Sequence, residues 1–149
     1  MKLYIQNRCT KKSFFPKKKD FLLWLYTILE NQKKEITIRI VDCLEIKYLN
    51  YRYRNHNIVT NVLSFPSTES IYTKHHFPYY IGDIILCSEY INKEARHLKK
   101  NILEHWAHMV VHSVLHLLHY QHDDKSSQKK MQRLEKRIML KLGYRDPYN

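Results

Sequence analysis

The run IGDIILC, residues 81–87, decides how the chain folds. It is apolar almost throughout, the pattern of a central strand covered on both faces. Directly after it Ser88 is placed to cap a helix reaching roughly to Leu98, so the chain steps from strand to helix. Working outward, TNVLSFP at 60–66 offers a short apolar strand stopped by Pro66, and residues 67–79 form a loop. Upstream, Leu3 and Ile5 alternate with polar neighbours, as do Ile36, Ile38 and Ile40, which predicts two half-buried strands. Phe21, Leu22, Trp24, Leu25, Ile28 and Leu29 recur between them at helical spacing, with Pro16 acceptable near the start. Leu44, Ile46 and Leu49 mark a short helix that runs into the basic segment YLNYRYRNHN. Downstream, Leu103 to about Tyr120 reads as a helix with Trp106, Val110, Leu117 and Leu118 among its apolar positions. Asp123 and Asp124 can start a last helix, whose stripe of Met131, Leu134, Ile138 and Leu142 closes on Gly143 in a left-handed position. The expected class is α+β (mixed α/β): a single small sheet of about four strands packed with about five helices, in one domain over 1–149.

Composition narrows the functions open to such a domain. Lys and Arg number 26 against 14 Asp and Glu, a formal charge of +12 before any of the ten histidines takes a proton. That balance favours a polyanionic partner. Only Gly82 and Gly143 are glycines, so neither G-x-G-x-x-G nor the Walker A loop can be written, and phosphate-cradling glycine loops are excluded. Cys9, Cys43 and Cys87 lie far apart without a C-x-x-C pair and read as reduced, small apolar residues. The first residues lack the apolar stretch of a secretory signal, and no run approaches the roughly 18 apolar residues of a membrane helix. A cytoplasmic protein with no membrane partner is expected.

Six of the ten histidines fall between His105 and His122. A zinc ion takes imidazole nitrogens at about 2.0–2.1 Å, so ligating rings must lie within a few ångströms of one another. On one helix only i,i+4 neighbours meet that condition. His112 and His116 do, as do His108 and His112, but His108 and His116 are roughly 12 Å apart along the axis. A third ligand must therefore come from chain that has left the helix and folded back. His122 is the natural candidate, giving H-x-x-x-H-x-x-x-x-x-H at His112, His116 and His122. His119 competes only if the helix ends earlier than supposed. His105 and His108 are expected to face the sheet or to support ligands rather than bind metal, since a catalytic site commonly keeps three protein ligands and an open position.

At this point HSVLHLLHYQH, residues 112–122, resembles the signature H-G-x-L-H-L-x-G-Y-D-H of the YbeY family of bacterial metal-dependent endoribonucleases. LNYRYRNHNIVTNVLSFP (49–66) is similar to the family's L-N-x-x-Y-R segment followed by T-[DN]-V-L-S-F-P, and IGDIILCSEYINKEA (81–95) to its G-D-I-x-I-C block. The resemblance implies a sheet with surrounding helices and one zinc ion on His112, His116 and His122. It also implies cleavage of single-stranded RNA in ribosomal RNA 3′-end maturation and ribosome quality control, with ribosomal RNA and the ribosome as partners. Arg54 matches the family segment residue by residue and is the catalytic candidate, a planar fork able to hold two phosphate oxygens. The chain departs from the signature at Ser113 and His119, where the family has glycine, and at Gln121, where it has Asp. If position 119 needs positive φ, His costs on the order of 1 kcal/mol there.

Other residues complete the expectation. Arg52, Lys47, Lys33 and Lys34 are candidates to track an RNA backbone, and Tyr51, Tyr53, Tyr79 or Tyr80 to stack on unpaired bases. The histidine spacing is shared with metzincin proteases, H-E-x-x-H-x-x-G-x-x-H, whose Glu is the general base; Ser113 stands in its place and has no useful basicity. A further class is a ribosome-associated RNA-binding protein whose metal is structural, but structural zinc usually fills all four positions with protein ligands.

Overall fold

The computed structural model describes residues 1–30, 32–69 and 79–149. Among these residues four strands and five α-helices follow in the order β1 (Lys2–Asn7), α1 (Lys18–Leu29), β2 (Glu35–Val41), α2 (Cys43–Arg54), β3 (Val62–Pro66), β4 (Tyr80–Cys87), α3 (Ser88–His97), α4 (Ile102–Leu117) and α5 (Lys125–Lys141). The strands form one sheet in the order β1-β2-β4-β3. β1 runs parallel to β2 and β2 parallel to β4, while β3 lies antiparallel to β4 on the edge. Parallel neighbours need a crossover, which α1 supplies between β1 and β2. The architecture is the α+β class expected. Of the loop expected over 67–79, Ser67–Glu69 is a short 3-10 turn and 70–78 lie outside the described residues.

β4 is the strand that IGDIILC announced, and all eight of its residues are buried. Its two faces serve two cores. Ile84 and Leu86 join Ile36, Ile38 and Ile40 of β2 against Phe21, Trp24, Trp106 and Val110 from α1 and α4. On the opposite face Ile85 and Cys87 meet Leu63 and Phe65 of β3 under Ile46 and Leu49 of α2. Within the larger layer α4 is the central helix, with every residue from His105 to Val111 buried. A helix apolar on nearly all sides belongs in such a place.

Helix ends carry the cost of scarce glycine. Each helix is followed by a residue at positive φ: Glu30 (55°), Asn55 (60°), Lys99 (55°), His119 (72°) and Gly143 (85°) after α1 to α5 in turn. Only the last is glycine, the residue that takes this conformation without strain. α4 therefore ends at Leu117 rather than near Tyr120. The His119 amide donates to the His116 carbonyl (2.9 Å) and the Tyr120 amide to the Leu115 carbonyl (3.0 Å), a Schellman turn built on histidine. A second boundary also differs: Cys87, not Ser88, is the cap position of α3, and Ser88 begins the helix with its hydroxyl 3.3 Å from the Cys9 sulfur. Asp124 caps α5 as expected, its carboxylate accepting from the Ser127 amide at 2.8 Å.

At Gly82 the backbone of β3 crowds β4. The glycine sits at φ 142 opposite Pro66, and a Cβ there would lie 2.2 Å from the Phe65 carbonyl oxygen and 2.9 Å from Leu117 Cδ2. The obstacle is backbone, so it cannot swing aside. Gly82→Ala should destabilise the fold by about 2–4 kcal/mol, read as a lower urea midpoint with an unchanged slope. An unaltered midpoint would contradict the close packing of this strand pair.

Candidate metal centre

His112 and His116 lie one turn apart near the end of α4, with ring centroids 4.5 Å apart. Because the chain reverses at His119, residues 120–122 return across the last turn and place the His122 ring 4.8 Å from His116 and 5.7 Å from His112. One ligand atom from each of the three lies within 4.8 Å of the others. Among the described residues this is the one group of three or more His, Cys, Asp or Glu placed to hold a metal ion. His119 ends the helix early, as its candidacy required, yet it is exposed and does not join the group.

Hydrogen bonds decide which ring nitrogens are available. His116 Nδ1 is 3.0 Å from the Tyr120 carbonyl, which can only accept, so Nδ1 carries the proton. His112 Nδ1 meets the Glu135 carboxylate in the same way. With both rings neutral, each Nε2 is a bare lone pair, and the two lie 3.0 Å apart. Two bare nitrogens at that distance repel unless a cation lies between them. In a tetrahedral zinc site, nitrogens at about 2.05 Å from the ion are about 3.3 Å apart, so the donor set fits a divalent cation. Burial, then the neighbouring His112 and His122, lowers the His116 pKa, which keeps it neutral and ready to ligate.

Glu135 is the residue that sequence reading missed. It is 0% exposed, and His108 and Tyr148 donate to it beside His112. Burial alone would raise its carboxyl; the donors from His108, His112 and Tyr148 outweigh that and bring it to about 2. Its one sequence signal is position, four residues after Met131 and four before Met139 on the buried face of α5. His105 and His108 accordingly face helices rather than the sheet: His105 Nε2 bonds Glu94 of α3 at 2.7 Å and His108 Nε2 bonds Glu135 of α5 at 3.3 Å. The cysteines stand elsewhere. All three are free, and burial pushes the Cys43 thiol up to about 12.

The three histidines open onto a cleft of about 620 Å³ that Arg54, Asn61, Ser64 and Tyr148 also line. Arg54 is held on its wall: Nη2 donates to the Ser64 carbonyl at 2.9 Å, and the guanidinium lies 4.7 Å over the Phe65 ring. Of the other candidates, Tyr80 is buried, its hydroxyl bonded to Thr37 and Asp83, so it cannot stack on a base. The reason is its place as first residue of the central strand. Lys33, Lys34 and Tyr79 line a separate hollow with Met1 and Lys2. Tyr51, Arg52 and Tyr53 are exposed on α2 outside the cleft, with Lys47 half-buried there. Ser113 is buried, and its hydroxyl donates to the Met109 carbonyl at 2.7 Å, so no base stands where a metzincin needs one.

Two substitutions separate the ligand set from its neighbour. His122→Ala should weaken zinc binding by more than about 100-fold in a chelator competition, whereas His119→Gly should bind as wild type. Relief of the positive φ should also make His119→Gly more stable by roughly 0.5–1 kcal/mol. Loss of affinity in His119→Gly alone would reverse the assignment.

Comparison with known proteins agrees with this architecture. A family profile described as Endoribonuclease YbeY matches residues 4–143. The Endoribonuclease YbeY of Buchnera aphidicola subsp. Cinara cedri is 62% identical over 149 residues, covering 100% of this chain and 96% of the relative. That of Buchnera aphidicola subsp. Baizongia pistaciae is 42% identical over 150 residues, covering 98% and 95%. A solution structure from Thermotoga maritima superimposes with a TM-score of 0.55 over 93% of this chain and 91% of that one, and at 20% identity it speaks for the fold alone. With a family profile spanning nearly the whole chain and full-length relatives at this identity, the chain belongs to the YbeY endoribonuclease family.

Proposed function

We propose that residues 1–149 act as one zinc-dependent endoribonuclease unit that cuts single-stranded RNA, with His112, His116 and His122 holding the ion and Arg54 as the catalytic cation. The observation that carries this reading is the pair of bare Nε2 atoms facing at 3.0 Å beside His122, in the same cleft as Arg54. When bound there, a divalent ion supplies a Lewis acid for a phosphoryl oxygen or for water. The chain does the rest. Arg54 is preorganised by the Ser64 carbonyl and the Phe65 ring, so its charge meets a phosphate without first being ordered. The +12 charge favours association with a polyanion.

Ribosomal RNA is the proposed substrate, with 3′-end maturation and ribosome quality control in the cytoplasm as the setting, by the family's example. Among the described residues no helix is long and apolar enough to cross a membrane, which is compatible with that setting. A purely structural metal is the weaker reading, because no fourth protein ligand joins the three histidines among the described residues and the cluster faces an open cleft.

The test is cleavage of an end-labelled single-stranded RNA by zinc-loaded protein beside His116→Ala and Arg54→Ala. Both variants should lose at least about 100-fold in kcat/KM, a size typical of removing a charge-stabilising group. Wild type that cuts no faster than either variant would remove the nuclease reading. Arg54→Ala should also bind RNA with a shallower salt dependence, by about one phosphate contact.

A further inference from the structure

A strap follows α5. Gly143 turns the chain, and residues 144–149 then pass back over the helices, tied at each step. Tyr144 accepts from the Trp24 indole at 3.3 Å, and the Arg145 amide donates to Glu104 at 2.6 Å. Asp146 pairs with Lys136 at 3.5 Å, and the Pro147 carbonyl accepts from Lys100 Nζ at 2.9 Å. Four ties, to α1, α4, α5 and the turn before α4, thus dock the strap without help from Tyr148.

What the strap delivers is the Tyr148 side chain. Its hydroxyl donates to Glu135 Oε2, and its ring stands edge-on to His108 with centroids 5.4 Å apart. The same Glu135 accepts from His112 through Oε1. His108 also reaches Oε2, but at 3.3 Å. Removing the Tyr148 hydroxyl leaves Oε2 with that one long partner, and a carboxylate held on one side only can rotate away from His112. Burial together with its bond to Glu135 raises the Tyr148 pKa, so the hydroxyl remains a donor across the physiological range.

We propose that Tyr148 is a positioning residue for the metal centre: acting through Glu135, it holds the His112 imidazole in its ligating tautomer and orientation, and strap and metal stabilise one another. The proposal rests on the metal reading of the three histidines and not on RNA cleavage. Ligand-orienting partners of this kind typically change metal affinity by 10–100-fold. Linkage requires the converse as well, that bound metal protects the strap.

Zinc affinity is measured by chelator competition for wild type, Tyr148→Phe, Glu135→Gln and the double variant, with circular dichroism on the metal-free proteins. Tyr148→Phe should lose about tenfold in affinity with an unchanged metal-free melting temperature, and the double variant should bind no worse than Glu135→Gln alone. Tyr148→Phe binding as wild type, or losses that multiply, would overturn the proposal. An independent measurement needs no variant: amide exchange of residues 144–149 in wild type should slow when zinc is added. Exchange unchanged by zinc would also overturn it, while failure of wild type to bind zinc at all would instead remove the metal reading beneath it.

Discussion

Because α4 is buried from His105 to Val111, its polar side chains have few directions in which to find partners. Each histidine on it must meet a carboxylate, a carbonyl or a metal, since an unsatisfied buried polar group costs about 1–3 kcal/mol. Rotation along the helix gives each of these rings one partner, while His105 Nδ1 and His108 Nδ1 stay buried without a hydrogen bond among the described residues. His105 turns to Glu94 of α3, His108 to Glu135 of α5, and one turn later His112 also reaches Glu135 while keeping its far nitrogen for the cleft. The Schellman turn at His119 finishes the arrangement, since only a chain reversed there brings His122 back over His112 and His116.

Scarce glycine and the three-histidine cluster are connected through that turn. Of the five helix ends followed by positive φ, four use Glu, Asn, Lys and His, and the one at His119 aims His122 at His112 and His116. The φ of 72° is kept despite the side chain, at a strain cost of about 1–2 kcal/mol. Gly82 is a different case. There the obstacle is a carbonyl oxygen of the neighbouring strand rather than the residue's own torsion alone, and no side chain can be fitted by tolerating strain.

What the sequence disclosed follows from period and spacing. IGDIILC read directly as the buried central strand, and the alternation of Leu3 and Ile5 and of Ile36, Ile38 and Ile40 gave β1 and β2. The geometric limit on helical histidines led to His112, His116 and His122, the group the fold brings together. Tertiary partners left no such mark. Glu135 lies far along the chain from His112, and nothing but its place among apolar neighbours on α5 distinguishes it from a solvated glutamate. Tyr148 carries no period at all, and Tyr80 looked available only because its burial depends on a strand boundary one residue before the apolar run.

What the fold offers a metal ion is an open three-histidine centre whose nitrogens are presented by Glu135 and the Tyr120 carbonyl. X-ray absorption at the zinc edge of the loaded protein tests it most directly. About one equivalent of zinc is expected, with three imidazole nitrogens at about 2.0–2.1 Å and a remaining light-atom position not filled by the protein. A sulfur ligand at about 2.3 Å, a fourth imidazole, or less than about half an equivalent of bound metal would contradict it.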